Sequence, residues 1–96
     1  MQIVYSPKAI YELDDIQDYL IERFGVRIAG EKIDIIKKDI EVLSTDPFFG
    51  RHIVDGTRKI NSGMSVIIYE VQEKHIEIHH IVDSRTDWAK TICLDK

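Results

Sequence analysis

The chain has 96 residues, 44% hydrophobic and 31% charged, with a net charge of -4 and an isoelectric point near 5.5. That length predicts one domain over residues 1–96, since chains split into separate cores only well above it, and the acidic balance disfavours a protein that grips phosphates broadly and nonspecifically. The one cysteine, Cys93, excludes an internal disulfide and a multi-cysteine zinc site, and no apolar run is long enough to span a bilayer, so a reducing, cytoplasmic setting without membrane contact is expected.

Gln2 to Tyr5 reads as a short strand, ended by Ser6-Pro7, a helix N-cap followed by a proline at the first helical position. From Lys8 the apolar residues Ala9, Leu13, Ile16, Leu20 and Phe24 recur at spacings of three and four, with acidic residues between them, and Gly25 supplies the stop. A second stripe with the same period, Ala29, Ile33, Ile36, Ile40 and Leu43, predicts a second helix ending at Asp46-Pro47. Asp46 to Gly56 holds Pro47, Gly50 and Gly56 without any period and reads as an irregular connector, a kind of loop that often carries function. Thr57 to Ile60 is a short strand, Asn61-Ser62-Gly63 a turn, Met64 to Val71 a central strand, and Ile76 to Val82 its antiparallel partner across a polar tip. Simple alternation along the last strand sends Ile76, Ile78, His80 and Val82 toward the helices and Glu77, His79 and Ile81 away. The expected class is therefore α+β: an N-terminal strand, a two-helix hairpin and a three-stranded antiparallel run, forming one sheet that the helices cover on one face.

Charge is divided along the chain. Residues 1 to 46 carry six basic and ten acidic side chains, whereas residues 47 to 96 carry seven of each together with all four histidines. The candidate functional surface lies in this second half: Arg51, His52, Arg58, Lys59, His79 and Arg85, which the connector, the strand after it and the end of the last strand are placed to bring together. The competing account pairs these cations with neighbours such as Asp55, Asp83 or Asp87 on a solvated surface. The five glycines are scattered outside any strand-to-helix phosphate loop, so no nucleotide cofactor is expected. His79 and His80 are adjacent on a strand and point to opposite faces, so no metal site is expected there either.

The pattern Ser6-Pro7-Lys8-Ala9, Leu13, Ile16, Tyr19-Leu20 and Phe24-Gly25, then Pro47, Gly50-Arg51, Arg58, Ile67-Ile68-Tyr69-Glu70-Val71, Ile78, Ile81 and Arg85 resembles the RelE/ParE superfamily of bacterial toxins. The match spans nearly the whole chain. It implies the toxin half of a type II toxin–antitoxin module, held inactive in a hetero-oligomer by a cognate antitoxin whose C-terminal segment wraps the toxin. RelE-like members cut messenger RNA in the ribosome with basic residues and a proton-transferring side chain; ParE-like members have lost that set and inhibit DNA gyrase. Here Arg85 is followed by Thr86-Asp87-Trp88, where nuclease members place a histidine or tyrosine, and the helix ending Tyr19-Leu20 to Phe24-Gly25 looks more like the ParE branch. Trp88 can stack on a base but cannot transfer a proton. The implied target is thus DNA gyrase, with the ribosome and messenger RNA as the alternative, in which Arg58, His79 and Arg85 would be the catalytic set. A third possibility is a member that binds antitoxin without being toxic.

Overall fold

The computed structural model describes residues 1–90; Cys93 and the end of the tail lie outside the described residues. In chain order they form β1 (Gln2–Tyr5), α1 (Pro7–Phe24), α2 (Val26–Glu41), a 3-10 turn (Val42–Ser44), β2 (Arg51–Val54), β3 (Thr57–Ser62), β4 (Ser65–Val71) and β5 (His75–Asp83). Ser6 starts α1 by accepting the Ala9 N–H at 3.0 Å, and its hydroxyl also donates to the carbonyl of His79 at 3.0 Å. One side chain thereby caps the helix and ties it to β5. Gly25 is the whole linker between the helices. Its φ of 89° is open to glycine and strained for other residues, and its N–H closes on the Ile21 carbonyl at 2.8 Å. The second helix stops earlier than its proline predicts, at Glu41, because the chain tightens into the 3-10 turn before reaching Asp46-Pro47.

The sheet order is β1-β5-β4-β3-β2, with β1 parallel to β5 and the other neighbours antiparallel. Helix α1 packs over β5 and β1, and α2 over β3. Between them lies the main core: Ala9, Ile33, Ile36, Ile40 and Leu43 meet Ile60, Ile67, Tyr69, Ile76, Ile78 and Ile81. These are the apolar stripes visible in the sequence, and each isoleucine taken out of water contributes about 1.5–3 kcal/mol before chain entropy is set against it.

Three details depart from expectation. First, the supposed connector contains a strand: β2 pairs with β3, joined by Asp55 and Gly56 at positive φ of 43° and 78°. An Asp-Gly pair is favoured in a two-residue hairpin turn because both positions need φ above zero. The sheet therefore has five strands among the described residues, one more than the sequence reading gave. Second, Asn61 and Ser62 belong to β3, and the turn is made at Gly63 and Met64. Third, the β4–β5 register slips between Ile68 and Tyr69, which face His80 and Ile78 respectively, so His79 is an extra residue in a bulge. Past this point alternation is inverted: Ile81 joins the helix-side core, while Val82 turns to the far face. There Val66 and Ile68 are buried under Ile53, Val54, Val82 and Trp88, so the far face of the sheet is partly covered.

Candidate functional site

The fold divides the residues singled out in the sequence between two faces. Arg51 pairs directly with Lys59 across β2 and β3, which puts both side chains on the face away from the helices. The Lys59 ammonium lies 5.5 Å from the centre of the Trp88 ring and donates to Asn61 at 3.0 Å. His79 shares that face but stands on β5, with β4 between it and Lys59. His52 and Arg58 form the next pair and face the opposite way. Arg58 donates to the carbonyl of Gly50 at 2.8 Å and lies 5.0 Å from the Phe48 ring centre, so it serves the loop before β2. Arg51, Lys59 and Trp88 are thus brought together. His52, Arg58, His79 and Arg85 are not brought into that group.

His79 is held by two carboxylates. Its Nε2 is 3.0 Å from Glu70 and its Nδ1 3.7 Å from Glu77, which are directly opposite one another on β4 and β5. His75 reaches the other oxygen of Glu77 at 3.8 Å. Two glutamates in register repel. The imidazole stands between them, within reach of both carboxylates.

Arg85 lies beyond the end of β5 and grips Asp83 through two bonds, Nε to Oδ1 at 3.0 Å and a second guanidinium nitrogen to Oδ2 at 2.7 Å. The Arg85 backbone N–H also donates to Asp83 Oδ1 at 2.8 Å. These bonds to Arg85 hold the Asp83 carboxyl down at about 2. The competing account therefore holds for Arg85: its charge is paired within the chain.

Several residues that shape the surface had not been singled out. His80, expected to face the helices, instead shares the far face with its partner Ile68 because of the bulge, while its Nδ1 lies 3.4 Å from Glu12 of α1, whose same oxygen accepts the Ile81 N–H at 3.1 Å and so ties β5 to the helix. Tyr69 is fully buried, and its hydroxyl bridges the loop between the 3-10 turn and β2, accepting from Gly50 N–H at 2.8 Å and donating to the Pro47 carbonyl at 2.9 Å. Burial raises this phenol above its ordinary value of 10.0. A tyrosine directly after the aliphatic run Val66–Ile68 was the visible signal, because a buried hydroxyl needs a partner. A groove of about 320 Å³ between β1 and the helices is lined by Tyr5, Ile10, Leu13, Asp14, Lys37 and Glu41. No group of three or more histidine, cysteine, aspartate or glutamate side chains among the described residues is arranged to hold a metal ion, and no helix among them is long and apolar enough to cross a membrane.

A comparison of the sequence with curated proteins finds no significant match. Among solved structures, a chain described as the chromosomal ParDE TA system from P. aeruginosa matches with a TM-score of 0.78 at 24% identity, over 86% of this chain and 95% of that one. At that identity the likeness establishes the α+β fold. The family model for the ParE toxin of the type II toxin–antitoxin system, parDE, matches residues 3–88, which takes in every element from β1 to Trp88. The chain belongs to the ParE toxin family.

Proposed function

We propose that this chain is a toxin that inhibits DNA gyrase in the cytoplasm and is neutralised by a cognate antitoxin. The observation that carries the choice of gyrase over RNA cleavage is the setting of His79. A ribonuclease needs a group to take the 2′-hydroxyl proton beside cations that stabilise the phosphate, contributions typically worth ~10²–10⁴-fold each. Here His79 on the far face lies between Glu70 and Glu77, which repel a phosphate. Arg58 and Arg85, the cations that would complete a catalytic set, are committed to Gly50 and Asp83. The segment after Arg85 offers Thr86, Asp87 and Trp88. Family membership supports the toxin–antitoxin setting.

For the antitoxin, the groove lined by Tyr5, Ile10 and Leu13 fits an apolar segment, and the two carboxylates Asp14 and Glu41, against the single ammonium of Lys37, favour flanking lysine or arginine. One observation favours the ribonuclease: Arg51, Lys59 and Trp88 form a cationic, aromatic surface of the kind that holds single-stranded nucleic acid. The deciding experiment expresses the toxin in cells and reads both targets. The gyrase reading expects blocked supercoiling or trapped cleaved DNA, induction of the DNA-damage response, and intact messages by primer extension. Codon-phased message cleavage that disappears in His79→Ala sinks it.

A further inference from the structure

We propose that the groove beside β1 is a socket for one arginine side chain of the antitoxin, with its stem along Ile10 and Leu13 and its guanidinium bridging Asp14 and Glu41; the inference rests on an antitoxin being the partner. Three elements build the groove: Tyr5 lines it from β1, Ile10, Leu13 and Asp14 from α1, and Lys37 and Glu41 from α2. Ile10 stands one turn before Asp14 on the same helical face, so an apolar side chain that is 51% exposed leads up to a carboxylate. Asp14, Lys37 and Glu41 are all exposed, and among the described residues none of them enters an ion pair. The contrast lies in the same helix: Arg27 and Glu31 have the spacing of Lys37 and Glu41 and close at 3.3 Å. Nor does the Tyr5 hydroxyl find a hydrogen-bond partner among the described residues.

The occupant follows from charge and size. Two carboxylates against one ammonium leave the groove net negative, so a cation complements it and a phosphate does not. Burial raises the Tyr5 phenol above its ordinary value of 10.0 and the charge of Glu41 raises it further, so the field of that carboxylate reaches into the groove. A volume of about 320 Å³ is at the small end of ligand sites, ~300–1,000 Å³, and suits one long side chain rather than a folded element. Arginine matches both parts of the lining. Its methylene stem covers apolar surface while the head stays among polar groups. Its planar fork of five N–H donors can reach carboxylates on two helices at once, whereas the ammonium of a lysine is a single compact charge.

The test is a double-mutant cycle on the affinity of the toxin for the full-length antitoxin encoded by the adjoining reading frame. Toxin variants are Asp14→Asn, Glu41→Gln and Lys37→Ala, each checked by thermal melting, and antitoxin variants replace each arginine in turn with methionine. Asp14→Asn and Glu41→Gln should each lose ~10-fold in affinity at unchanged melting temperature, while Lys37→Ala should bind more tightly because it removes a like charge. One antitoxin arginine-to-methionine variant should show a similar loss and then be insensitive to Glu41→Gln, and lysine in its place should recover only part of the affinity. Wild-type affinity in the Asp14→Asn/Glu41→Gln double variant, weaker binding by Lys37→Ala, or losses that add in full for every antitoxin arginine overturn the socket and leave the antitoxin reading standing. A wild-type toxin that does not bind the antitoxin overturns both. Self-association of the toxin that Glu41→Gln abolishes in sedimentation reassigns the groove to a second copy of this chain and overturns the proposal equally.

Discussion

At the scale of single residues, the strongest polar contacts of the surface are spent inside the chain. The Asp83–Arg85 pair gives a pH dependence with a definite sign. Asp83 is depressed from 3.8 to about 2, so its contribution is present above the higher value and is lost as the pH falls toward the lower one. Its side chain is 36% exposed, which limits the contribution to roughly 1 kcal/mol or less. In Arg85→Ala, carboxyl titration by NMR should return Asp83 to about 3.9 with only a small change in melting temperature. Tyr69 matters more. Tyr69→Phe leaves the Gly50 N–H and the Pro47 carbonyl without their partner, and equilibrium denaturation should show a loss of about 1–3 kcal/mol. Because burial raises the phenol, folding favours its neutral form, and the stability this group contributes should be lost as the pH climbs past 10.0.

At the scale of elements, β2 is held as a hairpin arm by its turn. Gly56 sits at φ 78°, where alanine is strained, so Gly56→Ala should cost about 1 kcal/mol or more. Amide exchange should localise the effect to β2 and to Val66 and Ile68 beneath Ile53 and Val54. This strand also shows where reading the sequence ran out. The helices were legible because their stripes keep period over four turns and their ends carry Ser6, Pro7 and Gly25. Four-residue β2 has a register shift between His52 and Val54 that sends Ile53 and Val54 to one face, erasing the period-two signal; Asp55-Gly56 was the cue that remained. The bulge at His79 likewise reversed the expected facing of Ile81 and Val82, since alternation assumes an unbroken ladder. Of the candidate site, the sequence placed Arg51, His52, Arg58, Lys59, His79, Arg85 and Trp88 on one surface, whereas the division between faces and the clamping of His79 by Glu70 and Glu77 depended on a cross-strand register that one strand alone does not reveal.

At the scale of the whole molecule, acidic side chains outnumber basic ones ten to six over residues 1–46, whereas residues 47–96 carry seven of each. An antitoxin seated over Asp14 and Glu41 should therefore associate more slowly as salt rises, and stopped-flow association rates that are flat between low and physiological ionic strength would contradict that contact. The order of the sheet has a temporal consequence as well. β1 is the first element synthesised, yet its one partner among the described strands is β5, met through the pairs Gln2 with His75 and Tyr5 with Ile78. Strands β2 to β5 zip through short hairpin connections; β1 must wait, unpaired, until nearly every other element exists. Contacts of such long sequence separation form slowly because the intervening loop must close first. The nascent toxin therefore passes through an interval in which its helices have formed while β5 still presents an open edge. Refolding followed at β1 should lag refolding followed at β4, which defines a window before the toxin acquires its mature surface.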